Sequence, residues 1–201
     1  MRIAFSCDDG HIDQYKWARY LHDQGIHCTF FVNPFSVGDK NRLTLNHLKI
    51  MRNDWGHTIA NHLWIHEAPA CLGGILADKM AILKADFLCA QEWLNVNGFN
   101  GSMMALPYGS EGGKWTEKYV EMMLDVADSV RDYGTGIITD KYKSRIITSY
   151  EYQDINDLID NTCICLHDST TTPDDVFMSL VEGIKDKCNK VDLVKVENLY
   201  D

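Results

Sequence analysis

The sequence predicts an α/β fold, a distorted or incomplete (β/α) barrel of about seven parallel strands with helices outside. Three observations support this class. Short apolar runs alternate with longer amphipathic segments, polar clusters follow several of the runs, and no linker or internal repeat interrupts the pattern. The 201 residues are few for a regular eight-unit barrel, so we expect some units to be short. We also expect residues 1–201 to form a single domain.

The predicted strands are short runs of apolar or β-branched residues that end in polar or turn-forming residues. They are Ile3 to Cys7, Cys28 to Val32, His57 to Ala60, Ser102 to Leu106, Arg145 to Ser149, Thr162 to Leu166 and Asp192 to Val196. The first run ends at Asp8-Asp9-Gly10 and the fourth at Pro107-Tyr108-Gly109, which is typical of a chain leaving a buried strand. Active sites of such folds gather at these strand ends.

The segments between the strands carry the apolar spacing of amphipathic helices. They are Ile12 to Gln24, Leu43 to Met51, Leu76 to Val96, Trp115 to Val126, Asp154 to Ile159 and Asp174 to Lys187. Thr44 and Asn41 are candidate caps of the second helix. Pro173 directly precedes the last helix, a position that suits proline.

Composition narrows the partners and the cellular setting. Acidic residues outnumber basic ones, 29 to 19, and no basic run occurs, so a nucleic-acid partner is not expected. No segment approaches the roughly 18 apolar residues that span a membrane, so no membrane partner is predicted either. The seven cysteines form no C-x-x-C pair, which favours buried free thiols in a reducing compartment. No apolar leader precedes Ile3, so we expect a cytoplasmic protein if Met1 is the native start. Nothing in the sequence indicates an oligomeric state.

Asp8 and Asp9, followed some fifty residues later by His62 and His66, are the most informative polar residues. On a helical turn, two histidines four residues apart lie on one face and can share a zinc-class ion. One aspartate can complete a three-ligand site that leaves a position open for water. The other aspartate can then accept a proton from that water. The residues alone leave open which aspartate has which role.

Two further strand ends carry candidate catalytic groups. His167 follows the apolar strand at Thr162 to Leu166, where an imidazole can act as a general acid for a leaving amine or alkoxide. A core histidine bonded to backbone is the alternative interpretation. Pro107-Tyr108-Gly109 could present a backbone N–H to a developing oxyanion, although the tripeptide alone indicates a turn.

In this order, the motifs resemble those of the polysaccharide deacetylases, carbohydrate esterase family 4 with the NodB-homology domain, over essentially the whole chain. The family's Thr-Phe-Asp-Asp-Gly motif appears as Ser6-Cys7-Asp8-Asp9-Gly10. The resemblance implies that Asp8 is the catalytic base and that Asp9 is a metal ligand.

The family's second motif is similar to the segment from Gly56 to His66. The resemblance implies that His62 and His66 are the other two metal ligands. Leu63 stands where the family usually has a hydroxyl residue, so we expect one loop-stabilising hydrogen bond to be missing.

The third motif of the family is similar to the segment from Ala105 to Gly109. The resemblance implies that Tyr108 offers its backbone N–H to the oxyanion, supported by Pro107. Ala105 stands where the family commonly has an arginine that braces the catalytic base. Arg131 is a candidate replacement, and a surface arginine is the equally weighted alternative.

Of the family's last two motifs, the fifth has a clear counterpart in this sequence and the fourth does not. Residues 128–132 occupy the region of the fourth motif without its tryptophan. The fifth motif, Leu-x-Leu-His, appears as Ile164-Cys165-Leu166-His167. The resemblance implies that His167 is the general acid and that Leu166 lines the acetyl pocket. Asp168 is a candidate cap of the following turn.

The activity implied by the resemblance is metal-dependent hydrolysis of the C–N amide bond of an N-acetylated amino-sugar oligomer or polymer, with a divalent cation, most simply Zn²⁺. Alternatives are an O-acetyl esterase acting on xylan, a small-molecule amidase, an inactive metal-holding carbohydrate-binding domain, or a structural zinc protein. A complete set of base, ligands and acid argues against a domain that only binds carbohydrate. Three protein ligands leave the coordination open, which argues against structural zinc.

Overall fold

Buried strands and amphipathic helices alternate along the chain in a computed structural model that describes residues 2–134, 145–150, 162–187, 192–193, 195–196 and 199. The strands are β1 (Arg2–Cys7), β2 (Cys28–Val32), β3 (Thr58–Asn61), β4 (Asn100–Ala105), β5 (Ser129–Tyr133), β6 (Ile146–Tyr150), β7 (Thr162–Leu166) and β8 (Asp192–Leu193). The helices are α1 (Gln14–Asp23), α2 (Leu45–Asn53), α3 (Leu76–Val96), α4 (Gly109–Gly113), α5 (Glu117–Leu124) and α6 (Asp174–Lys187), with a 3₁₀ turn at Pro34–Ser36.

The strands form an all-parallel sheet in the order β2-β3-β4-β5-β6-β7-β1-β8, with an additional pairing between β1 and β2. Each strand pair whose register is described is parallel. The strands β2 and β7 are buried along their length and β1 is buried after its first residue, as expected for strands of a parallel sheet that is covered by helices. The predicted α/β class with flanking helices is confirmed.

The chain divides into two compact units. The first unit comprises Met1–Phe30, Gly38–Thr58 and Ser149–Asp201, and the second comprises Phe31–Val37 and Ile59–Thr148. In the first unit, β1 lies between β7 and β8 and pairs with the start of β2. The rings of Trp17 on α1 and Phe177 on α6 stack with centroids 4.8 Å apart, which packs these two helices together.

The second unit is built on β3, β4 and β5, which pair in that order. Its core contains buried residues from α3, α5 and the sheet, including Leu83, Phe87, Met104, Met123 and Val130. Leu83 and Phe87, which belong to the apolar spacing that predicted this helix, are therefore core residues, and the predicted bounds of α3, Leu76–Val96, are confirmed. Among the described helices, none combines the length and apolarity needed to cross a membrane.

Several predicted elements differ from the structure. The segment at Ser129–Tyr133 is a buried strand, β5, which the charged residues within it concealed. The α4 turn of helix after Tyr108 was also missed, because three glycines in five residues disfavour a helix. Thr44 caps α2 through a capping box with His47, whereas Asn41 lies in the preceding loop. The strand predicted from Asp192 to Val196 is shorter, since β8 covers two residues.

Two predictions fall on residues that the structure does not describe. The predicted helix from Asp154 to Ile159 lies outside the described residues, and so does Cys188. The six described cysteines are thiols and form no disulfide bond. Four of them are buried as predicted, but Cys71 and Cys89 are exposed, so the burial prediction was wrong for these two.

Candidate active site

The end of β1 carries the two adjacent aspartates of the first unit. The N–H of Asp8 donates to the Leu166 carbonyl of β7 over 2.9 Å, so Asp8 continues the strand and its side chain is buried. Asp9 and Gly10 then adopt left-handed backbone angles, with φ of 71° and 65°. The Arg42 guanidinium donates to the Asp9 carbonyl over 2.7 Å and fixes this turn.

The end of β7 places His167 beside Asp8 within the same unit. Its Nε2 lies 3.9 Å from Oδ2 of Asp8, and the imidazole is one-third exposed whereas the carboxylate is almost fully buried. The side-chain amide of Gln14, itself fully buried, donates to the main-chain carbonyls of both Asp8 and His167. Gln14 therefore ties the two strand ends together. Gln14 was not among the predicted site residues, because one of its two partners lies 153 residues away in sequence.

Cys165 is a third polar side chain at this position. Its Sγ lies 3.5 Å from Oδ2 of Asp8, and the residue is fully buried. Asp8, Cys165 and His167 each offer one ligand atom, and these atoms lie within 4.8 Å of one another. Cys165 was not among the predicted site residues.

Asp168 holds the turn that follows this strand end. Its Oδ1 accepts the N–H groups of Thr170 and Thr171 over 2.9 and 3.1 Å, which closes the turn as the capping interpretation predicted. Partial burial acts to raise the pKa of Asp168, but the hydrogen bonds from Thr170 and Thr171 outweigh it and lower the pKa. Leu166 is fully buried in β7.

In the second unit, His62 and His66 lie in an extended loop after β3 and not on the helical turn that the sequence analysis assumed. Leu63 and His66 have positive φ angles of 64° and 62°, a left-handed conformation that does not occur in a regular helical turn. The loop still brings the two imidazoles together, because their centroids lie 4.7 Å apart and their Nε2 atoms 3.1 Å apart. The shared face was thus predicted correctly for the wrong local structure.

The two imidazoles fit a metal site. Nδ1 of His62 lies 3.0 Å from the Ala105 carbonyl, which requires a proton on Nδ1 and leaves the Nε2 lone pair directed away from that bond. Tetrahedral zinc with bonds of about 2.0–2.1 Å to nitrogen separates two ligand nitrogens by about 3.3 Å. The observed Nε2–Nε2 distance of 3.1 Å is close to that separation.

Buried polar side chains hold this loop. Oδ1 of Asn61 accepts the Leu63 N–H over 2.8 Å, and its amide donates to the Gly101 carbonyl over 3.1 Å. The amide of Asn33 donates to the His62 carbonyl. Leu63 itself is fully buried in the apolar core, so it contributes packing where a hydroxyl residue would contribute a hydrogen bond.

Asp86 on α3 is the other brace of this loop. Its carboxylate accepts the Trp64 N–H over 3.0 Å and the Ile65 N–H over 3.3 Å, and the residue is 9% exposed. Burial raises the pKa of Asp86 from 3.8 to about 6, although the bonds from Ile65 and Trp64 act to lower it. Sequence analysis missed Asp86 because its partners lie more than twenty residues away.

Tyr108 adopts a left-handed conformation, with φ of 62°, directly before α4. Its half-exposed ring packs on His66 with centroids 4.6 Å apart. Oδ1 of Asp132 accepts the Ser110 N–H over 2.7 Å and so anchors the start of α4. The Pro107 carbonyl accepts the Trp115 indole N–H over 3.0 Å. The predicted turn at Pro107-Tyr108-Gly109 is therefore rigidly held, and Asp132 is a supporting residue that the sequence analysis left without a role.

Arg131 is fully buried on β5, so the surface interpretation of this arginine was wrong. Its guanidinium carbon lies 5.0 Å from the centroid of the Phe31 ring. In the sheet, Arg131 is paired with Ala105 of β4. Paired residues on neighbouring strands project to the same face, so Arg131 occupies the face of the sheet that a longer side chain at Ala105 would reach.

No protein-family model and no curated protein sequence matches the chain. Solved structures do match it. A deacetylase designated T48, solved with substrate, has 19% identity and a TM-score of 0.66 over 98% of this chain and 89% of that chain. A family 4 acetyl xylan esterase from Clostridium thermocellum, solved with a cobalt ion, has 18% identity and a TM-score of 0.62 over 100% and 90%.

A third similar structure is the peptidoglycan deacetylase PdaC from Bacillus subtilis, a mutant form with 19% identity and a TM-score of 0.63 over 98% of this chain and 88% of that chain. The chain therefore has the fold of family 4 carbohydrate esterases and polysaccharide deacetylases, and the predicted distorted (β/α) barrel class is confirmed. Side-chain groups able to hold a metal ion are also present.

Proposed function

We propose that the chain is a metal-dependent hydrolase that removes N-acetyl groups from an amino-sugar oligomer or polymer, with residues 1–201 acting as one catalytic domain of carbohydrate esterase family 4. The observation that carries the proposal is the histidine pair. Their Nε2 atoms lie 3.1 Å apart and the Ala105 carbonyl fixes the tautomer of His62, which supports the two imidazoles as two of the three protein ligands of a catalytic metal site.

Asp9 is the proposed third ligand, with His62 and His66. Three protein ligands leave a coordination position open, as catalytic zinc sites require. When bound, the metal would lower the pKa of a water molecule and polarise the acetyl carbonyl. Zn²⁺ suits a site of two imidazoles and one carboxylate. One solved structure of the same fold contains a cobalt ion, which supports a divalent metal in general.

Asp8 is the proposed general base. It is buried at the end of β1, next in sequence to the proposed ligand Asp9, and its Oδ2 lies 3.9 Å from Nε2 of His167. Asp8 would accept the proton of the attacking water. Arg131 is proposed to brace this carboxylate in place of the arginine missing at position 105.

His167 is the proposed general acid. An amine cannot leave as an anion, so cleavage of the amide requires a proton donor at the nitrogen. The imidazole of His167 is partly exposed and can reach a substrate, whereas the neighbouring Asp8 is enclosed. The backbone N–H of Tyr108 would donate to the oxyanion. Leu166 and Pro107 are proposed to support the acetyl pocket.

The second candidate is an O-acetyl esterase, because an acetyl xylan esterase shares this fold over the whole chain. Acetate release distinguishes the two. The metal-loaded protein is incubated with N-acetylglucosamine oligomers and with acetylated xylan, and the chelated protein is the control. Faster metal-dependent release from the oligomers supports the amidase. If acetate is released from acetylated xylan alone, the esterase replaces the amidase as the proposed activity. If the folded, metal-loaded protein releases acetate from neither substrate, the proposed function is contradicted.

A further inference from the structure

The cluster of Asp8, Cys165 and His167 contains a group that the proposed reaction does not use. Hydrolysis needs the carboxylate and the imidazole, but no step needs a thiol. Cys165 nevertheless places its Sγ 3.5 Å from Oδ2 of Asp8, and Nε2 of His167 lies 3.9 Å from the same oxygen. All three residues belong to the first unit.

We propose that Asp8, Cys165 and His167 form a second, inhibitory binding site for a thiophilic divalent cation such as Zn²⁺ in excess or Cd²⁺. The inhibition rests on the proposed function, whereas the binding site does not. Tetrahedral zinc with bonds of about 2.0–2.3 Å to oxygen, nitrogen and sulfur separates its ligand atoms by about 3.3–3.8 Å. The observed separations of 3.5 and 3.9 Å require little rearrangement.

The donor set selects the cation. Thiolate and imidazole favour zinc-class and softer ions over Mg²⁺ or Ca²⁺, which prefer oxygen ligands. As the cation binds, the thiol of Cys165 releases its proton to solvent and a metal–sulfur bond forms. The one-third exposed imidazole of His167 gives the cation a path to two otherwise buried ligands.

Binding at this site would stop catalysis directly. The Asp8 carboxylate and the His167 imidazole would both be occupied as ligands, so neither could accept or donate the proton that hydrolysis requires. Metal activation and metal inhibition would then share one active site. A first equivalent would activate the enzyme, and a further equivalent would inhibit it.

Cadmium titration tests the binding site without any assay of catalysis. Protein loaded with one equivalent of Zn²⁺ is titrated with Cd²⁺ while the ultraviolet cadmium–thiolate charge-transfer band is recorded. To remove background, the exposed thiols Cys71 and Cys89, and Cys188, which lies outside the described residues, are first changed to serine. We expect one cadmium–thiolate bond in this parent protein and none after Cys165→Ser. Cys163→Ser is the matched control, because this cysteine is equally buried on β7 but contacts the Ser6 hydroxyl, and it should keep the band.

An unchanged band in Cys165→Ser refutes the site. If Cys165→Ser does not fold, Asp8→Asn provides the same test, because loss of a ligand should weaken cadmium binding at least about tenfold, given that even outer-shell changes cost 10–100-fold. Unchanged cadmium affinity in Asp8→Asn then refutes the site.

Inhibition is tested separately by acetate release at rising Zn²⁺. Each variant is normalised to its own activity at one equivalent. The inhibitory concentration should rise at least about tenfold in Cys165→Ser and stay unchanged in Cys163→Ser. Equal inhibition of both variants contradicts the inhibitory role. If no acetylated substrate is cleaved, the proposed function fails, while the cadmium band still decides whether the site exists.

Discussion

Asp86→Asn should make the protein relatively more stable at neutral pH while loosening the loop that carries His62 and His66. The asparagine has almost the same shape but cannot ionise. At about pH 4.5 the folded wild-type protein keeps Asp86 protonated, because burial raises the pKa of Asp86 from 3.8 to about 6. The two proteins then carry a neutral side chain at this position, and their stabilities can be compared directly.

The sign of the pH effect follows from the raised pKa. Between the unfolded pKa and the folded pKa, the native state binds more protons than the unfolded state, so wild-type stability falls as pH rises through this window. Asp86→Asn lacks this loss. A pKa shift of about two units changes the free energy of unfolding by at most about 3 kcal/mol, since each unit corresponds to about 1.36 kcal/mol. Relaxation and water penetration reduce the expected difference to about 1–2 kcal/mol.

The assay is urea unfolding of metal-free protein at about pH 4.5 and about pH 7.5. Glu92→Gln is the matched control, because Glu92 is an exposed carboxylate on the same helix and the substitution removes the same charge. The variant Asp86→Asn should gain about 1–2 kcal/mol relative to wild type over this interval, and Glu92→Gln should gain nothing comparable. An equal change for both variants refutes the argument from burial.

Loop geometry gives a second readout of the same variant. At neutral pH the ionised Asp86 accepts two N–H groups between the histidines, whereas an asparagine has one acceptor oxygen for them. Metal affinity should therefore fall about tenfold or more in Asp86→Asn and stay unchanged in Glu92→Gln. Increased stability would then accompany reduced function.

Three further variants probe the base, its brace and the core. Asp8→Asn should abolish acetate release yet retain stoichiometric metal, and normal turnover would refute the base assignment. Arg131→Met should lower turnover roughly tenfold or more with metal content unchanged, measured as kcat beside metal analysis. Burial lowers the pKa of His57, whose Nδ1 accepts the Cys28 N–H. The neutral imidazole therefore contributes its full stabilisation of the folded state above pH 6.5, and this stabilisation is lost as the pH falls through the lowered pKa. In urea unfolding, the free energy of unfolding of His57→Gln should therefore fall less than that of wild type as the pH is lowered. An equal fall in both proteins would contradict this.

Local sequence patterns were sufficient to predict a strand or helix where its buried residues are mostly apolar. The strands β1, β2 and β7 and the long helix α3 were predicted well because their buried residues are hydrophobic and their ends are polar. The strand β5 was missed because it buries Arg131 and Asp132, and a charged residue in a short segment indicates a loop when its partners are unknown.

The candidate site was predictable as a set of residues but not as a geometry. Spacing identified His62 and His66. The conformation of the loop between them is instead set by Asn61 and Asp86, whose side chains accept its backbone N–H groups in place of a helical turn. The roles of Gln14 and Asp86 depend on partners far away in sequence. Such roles become visible only when the fold brings the partners together.

Calorimetric titration of Zn²⁺ into metal-free protein tests the proposed ligand set most directly. Wild type and the control His22→Ala, at an exposed histidine, should each bind one equivalent tightly. Asp9→Ala, His62→Ala and His66→Ala should each lose this binding or weaken it by at least about 100-fold. Tight binding of one equivalent that survives in all three variants, also when Cys165→Ser removes the second proposed site, would contradict the account.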